Sequence, residues 1–241
     1  MLACVARAAI LCLALFAGAA RAGELADFNA AVEQASAHNR VAIGYLRNGN
    51  IDLASLEIER LRAAWGKLNE RFAGKRPDVF DGNPLYVTVM TDIATRLVSA
   101  DMMLNSGRPD IARQSLDGIR EDLYNLRKSA GIVVLADCLR DATAALDALM
   151  VYNDPNVDLS KPGTRFAVAT TAGAYRNVLE RCDGTASEAI RKDADFRRLI
   201  DGAKDGLAPL PHAIETRDAN QLHRILIELR SFENLLAFRF G

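Results

Sequence analysis

Residues 48–72 read NGNIDLASLEIERLRAAWGKLNERF, and this stretch decides the fold class. Ala54, Ile58, Leu61, Trp65, Leu68 and Phe72 recur in alternating steps of four and three. That rhythm places them on one face of an α-helix. Polar and charged residues fill most other positions, so the pattern predicts an amphipathic helix that buries one stripe. Asn48-Gly49-Asn50 predicts a tight turn, because glycine takes the left-handed conformation that closes a helix at little steric cost.

The same rhythm runs outward along the chain. It recurs in Tyr86, Met90, Ile93, Leu97, Ala100 and Leu104, and in Ala112, Leu116, Ile119, Leu123 and Leu126. Further on come Leu135, Leu139, Ala142, Leu146 and Leu149, then Val168, Ala172, Tyr175, Leu179 and Cys182. Leu222, Ile225, Leu229, Phe232 and Leu236 complete the set. No run alternates with period two, so no strand is predicted. The pattern predicts helices over 27–47, 51–73, 85–105, 109–129, 133–151, 164–182, 186–204 and 218–239, with a short helical turn at 211–216.

The breaks have their own chemistry. Ser106-Gly107-Arg108-Pro109 reads as a second tight turn, with Pro109 suited to a first helical turn. Residues 74–84 (GKRPDVFDGNP) form a longer connection, in which Asn83 is placed to cap the next helix. Residues 153–163 make another loop, Asp183-Gly184-Thr185 is expected to end a helix, and 206–211 (GLAPLP) interrupts the pattern again. The expected architecture is an all-α chain of two successive antiparallel helix-bundle units, residues 23–130 and 131–241, with Trp65 as a core anchor.

Residues 1–22 are expected to be an export signal. Arg7 supplies the positive flank, Ala8 to Ala20 the apolar segment, and Ala20-Arg21-Ala22 the small residues before a cut between Ala22 and Gly23. The apolar segment spans about 13 residues, short of the roughly 20 a membrane span needs. Without this segment 28 basic residues face 31 acidic ones, because Arg7 and Arg21 leave a total of 30, and the net charge is −3. Two cysteines remain, Cys138 and Cys182. The expected location is the periplasm, as a protein without a transmembrane segment.

Composition excludes other classes. Half the residues are hydrophobic, 25% are charged and 6% are aromatic, which is too apolar and too nearly neutral for disorder. Balanced charge offers no basic field for nucleic acid.

A faint internal repeat lays Leu46, Gly49, Asp52, Ala54, Arg62 and Leu68 on Leu104, Gly107, Asp110, Ala112, Arg120 and Leu126, all at one constant offset. Each unit of the repeat reads as a helix, a glycine turn and a returning helix. Tyr45, Gly49, Ala54, Ile58 and Leu61, with Gly107, Ala112, Leu116 and Ile119, resemble conserved positions of tetratricopeptide repeats. That family repeats every ~34 residues, well short of the offset here, so the likeness implies hairpin geometry without a contiguous array.

From about Phe196 to Phe240 the chain carries Leu210-Pro211, Asp218-Ala219 and Phe238-Arg239 in an order that resembles cytochrome c′-type four-helix bundles. The resemblance implies a four-helix fold. The positions aligned with the haem-attachment motif are Ser231, Asn234 and Leu235, so both thioether cysteines and the proximal histidine are absent.

Candidate functional residues are few. Cys138 and Cys182 both sit on helical stripes, and two cysteines in an exported chain favour one disulfide. An ideal hairpin closed by residues 152–163 puts Cys138 level with about Asn177, some 7 Å short of Cys182, which a small register shift closes. Two separately buried thiols are the alternative. His38, His212 and His223 form no chelating pair at helical spacing. Asp154, Asn156 and Asp158 mimic the start of a calcium loop, but Leu159 and Arg165 stand where glycine and glutamate are needed, so a capping loop is expected. Met90, Met102, Met103 and Met150 read as core filling. Arg62, Arg120 and Arg230 are candidates for interhelical salt bridges. No catalytic motif, metal set or cofactor-binding motif is present. The leading expectation is a non-enzymatic binding or accessory module that takes a protein or peptide in a helix-hairpin groove. The alternatives are a degenerate cytochrome-like bundle holding haem or another small cofactor without covalent attachment, and an enzyme with dispersed carboxylates and arginines.

Overall fold

In a computed structural model the structure describes residues 2–154 and 156–241, with side chains from residue 23 onward. The expected export signal over residues 1–22, including Ala22 at its cut, lies outside the residues whose side chains are described. No strand occurs among the described residues, and the chain is an all-α helical bundle protein. It divides into two units, Met1–Ile132 and Val133–Gly241.

The first unit contains α1 (Leu2–Arg47), α2 (Ile51–Phe72), α3 (Pro84–Asn105) and α4 (Pro109–Ser129). Between α1 and α2, Gly49 has φ +72°, the Asn50 amide donates to the Tyr45 carbonyl at 2.9 Å and the Gly49 amide to Leu46 at 3.2 Å. Between α3 and α4, Gly107 has φ +70°, Arg108 donates to Met103 at 2.9 Å and Gly107 to Leu104 at 3.0 Å. Both turns satisfy the last carbonyls of one helix while reversing the chain. The two hairpins therefore share their closing hydrogen bonds at equivalent positions of the sequence repeat.

Each helix packs on two neighbours, in the ring α1–α2–α3–α4–α1. Inside lie the stripe residues expected from sequence, with Trp65 buried, joined by Phe28, Val32, Ala35 and Ala42 of α1. The Asn39 side-chain amide reaches the Leu116 carbonyl at 3.2 Å and ties α1 to α4. The connection over residues 74–83 is not plain loop. A 3-10 turn, Asp78–Phe80, drives the Phe80 ring into the core, where it meets Phe28 and Tyr86 at centroid distances of 5.5 and 5.2 Å. The Tyr86 hydroxyl donates to the Phe72 carbonyl at 3.1 Å, and burial pushes its phenol up to about 12 despite the opposing charge of Arg76.

The second unit contains α5 (Leu135–Met150), α6 (Pro162–Thr185), α7 (Glu188–Arg191), α8 (Ala194–Gly206), α9 (Leu210–Thr216) and α10 (Ala219–Phe240). Its ring is α5–α6–α8–α10–α5, with α9 lying against α6 and α10. The single helix expected over 186–204 is two helices. Asp193 accepts from the amides of Asp195 and Phe196, both at 2.9 Å, and so caps a new helix. Ser187 caps the short α7 through the Ile190 amide. The helix α6 ends at Thr185, within the Asp183-Gly184-Thr185 segment expected to close it. There, burial alone would raise the Asp183 carboxyl. Hydrogen bonds from Lys204 at 2.7 Å and Arg197 at 2.8 Å outweigh it and hold Asp183 below the usual carboxylate value.

Cys138 and Cys182 stand at disulfide distance, with Cα atoms 5.3 Å apart. Their register differs from the ideal hairpin, and Leu159 in the connecting loop folds into the core and is 3% exposed. Cys138 therefore lies level with Cys182 and not with Asn177. The interhelical ion pair of Asp141 and Arg181, at 3.0 Å, has the same register.

Two stability measurements follow from these contacts. Replacing Cys182 with serine, or reducing the pair, is expected to lower unfolding free energy by about 2–4 kcal/mol, given the 44-residue separation. Urea unfolding with and without reductant, with thiol counting by mass spectrometry, checks it; equal midpoints would refute the bridge. Arg217 closes α9 at φ +58°, a left-handed conformation that costs a side-chain-bearing residue energy. Arg217→Gly is expected to stabilise by roughly 0.5–1 kcal/mol, read as a rise in urea midpoint.

Candidate functional site

The strongest candidate site lies along the α1–α2 hairpin. Ala31 of α1 and Ala63 and Ala64 of α2 flank the buried stripes. Their short side chains leave a groove of about 400 Å³ between the helices. Polar side chains line its rim: Gln34 and His38 from α1, and Arg60, Lys67 and Arg71 from α2. The α2 cations recur at helical spacing, so one face carries all three.

Acidic neighbours satisfy part of this charge. The Glu57 carboxylate is nearly buried, with His38 Nδ1 at 2.7 Å from Oε2 and the Arg60 guanidinium donating to Oε1 at 2.5 Å. Arg71 pairs with Asp27 at the other end. Lys67, in the middle, makes no hydrogen bond or ion pair among the described residues. With Asp27 and Glu57 counted against Arg60, Lys67 and Arg71, the groove keeps one net positive charge. Such a groove can hold anionic groups on its rim over an apolar floor. It contains no nucleophile–base pair of the kind bond cleavage needs.

A second polar cluster is inside the other unit. Glu233 of α10 is fully buried, and it accepts from Thr143 of α5 at 2.6 Å and from the Tyr175 hydroxyl of α6 at 3.1 Å. Burial, and then the Glu233 charge and hydrogen bond, push the Tyr175 phenol far above its ordinary value. These contacts tie α10 to α5 and α6, which is a structural role.

The residues singled out by sequence are placed as follows. His223 Nδ1 lies 2.6 Å from the Asn153 side-chain oxygen, linking α10 to the 151–161 loop, and His212 is exposed. Asp154 accepts from the Asn156 amide at 2.7 Å and Asp158 from the Ser160 amide at 2.9 Å, so both shape local turns. The Ser160 hydroxyl and amide hold Asp158 below the usual carboxylate value. Among the described residues no group of three His, Cys, Asp or Glu could hold a metal ion. Met90 is in the core, whereas Met102 is 57% exposed. Arg62 bridges to Asp101 at 3.0 Å and Arg230 to Asp147, both between helices. Ser231, Asn234 and Leu235 are exposed, and Glu233 between them is the residue that points inward.

Comparison with known protein families, curated proteins and solved structures returns no match. No helix among the described residues is long and apolar enough to cross a membrane.

The Tyr175 environment gives a pH signature. Unfolded tyrosine ionises near 10, while folded Tyr175 keeps its proton to higher pH. The folded state therefore binds more protons above pH 10, so the contribution of Tyr175 to stability is constant below that pH and falls as pH rises beyond it. Tyr175→Phe is expected to lose about 1 kcal/mol at pH 7 and to reduce this alkaline loss, leaving the part due to buried Tyr86. Urea midpoints from pH 7 to 11 check it, and an unchanged slope would refute the assignment.

Proposed function

We propose that this chain is a non-enzymatic binding module of the periplasm and that its α1–α2 groove takes an acidic, extended segment of a partner protein. The observation that carries this reading is Lys67, a cation without an ion-pair partner among the described residues, centred over an alanine floor between two further cations. A cationic rim attracts carboxylates, and the short floor side chains leave room for an apolar side chain between them. The export signal expected over residues 1–22 and the Cys138–Cys182 pair support an oxidising compartment outside the cytoplasm.

The test uses a fluorescein-labelled peptide of alternating glutamate and alanine, followed by anisotropy with the full chain. Binding is expected to weaken as salt rises from about 50 to about 300 mM. Lys67→Glu changes an exposed residue and should leave the circular dichroism spectrum intact while weakening binding about tenfold, or roughly 1.4 kcal/mol. Equal binding of a lysine–alanine peptide of the same length, or unchanged affinity of the variant, would overturn the reading.

A further inference from the structure

The second unit carries a groove of different character, between α6 and the segment around α9. Ala169, Ala172 and Gly173 of α6 form its low side, and Leu207, Leu210 and Ile214 face them, leaving about 330 Å³, within the range of small-molecule sites. A cation closes one end: Arg176 lines the groove and makes no hydrogen bond or ion pair among the described residues. By contrast, Arg181 on the same helix is paired with Asp141. Phe166, Ala169, Gly173 and Arg176 follow steps of three, four and three, so they share a face of α6. Phe166 is 74% exposed, which extends the apolar surface away from the cation. The stretch from Phe166 to Arg176 rises about 15 Å.

We propose that this groove binds a free single-chain amphiphile, with its alkyl chain over Ala169 and Gly173 and its carboxylate on the Arg176 guanidinium. The charge at one end and the apolar floor along the rest match a ligand with one anionic head and one hydrocarbon tail. A guanidinium pairs a carboxylate through two parallel hydrogen bonds, so it fixes which end of the ligand lies where. Gly173 keeps the floor open, because a Cβ added there meets no heavy atom within 4 Å.

Isothermal titration of the full chain with decanoate, decanol and decyltrimethylammonium tests this, below their micelle concentrations. Decanoate is expected to bind about tenfold or more tighter than decanol, and the cationic analogue weakest. Arg176→Gln should bring decanoate down to the decanol value. Gly173→Leu improves helix propensity and fills open space, so it should fold normally by circular dichroism and lose binding of all three. Absence of decanoate binding, equal affinity for decanoate and decanol, or full decanoate binding by Gly173→Leu would overturn the proposal. So would sedimentation with phosphatidylglycerol vesicles without any decanoate binding, which would assign the same chemistry to a membrane surface.

Discussion

Each principal helix of this chain has one apolar stripe to cover, and that constraint sets the rest. A stripe of roughly 100° is too wide for a single neighbour and too narrow for three. A helix covers it by packing in the angle between two others, and four such helices close a ring. In the first unit, α1 to α4 do this in chain order. In the second unit, α5, α6, α8 and α10 do it, and α7 and α9 occupy the connections. A fully buried leucine contributes roughly 1.5–3 kcal/mol, so the stripes outweigh any surface ion pair in holding the rings together.

The grooves follow from the same geometry. Positions beside a stripe contact neighbouring helices at the ring's outer seam. Where they are long, as at Arg62 with Asp101, the seam is bridged. Where they are short, as at Ala63 and Ala64 or at Ala169 and Gly173, it opens. The grooves therefore open on the seams, and the interior is reserved for packing. Glu233 is the informative exception, since a buried carboxylate needs its donors from fixed positions on α5 and α6. It thereby penalises any rotation of α10, where an apolar residue would tolerate several.

Stripes were legible in sequence because burial of one face leaves a period that survives without knowledge of neighbours. Helix ends were legible where a residue has one use, as with Gly49, Gly107 and Asn83. What stayed hidden depended on tertiary partners or on competition between local signals. Asp193 could cap a helix or sit inside one, and the amides of Asp195 and Phe196 decided it. Phe80 and Leu159 lie in stretches rich in turn formers, and a lone apolar residue has no period to announce its burial. Glu233 was hidden because a glutamate on an amphipathic helix ordinarily faces water, and its donors Thr143 and Tyr175 lie far away in the chain. The α1–α2 groove left a faint trace in Arg60, Lys67 and Arg71 beside an alanine pair, but only the register of α1 shows that Ala31 opens the opposite wall.

The placement of Cys138 and Cys182 has a topological consequence. They join α5 near its start to α6 near its end, while the 151–161 loop joins the same helices at their other ends. With the bridge formed, residues 138–182 are a closed ring of covalent bonds. A protease that cuts the exposed part of that loop, near Val151, converts the chain into two strands and releases neither. The nicked molecule keeps its mass apart from one added water and keeps its helices held side by side. Once the packing is also denatured, it separates into fragments when a reductant opens the second link.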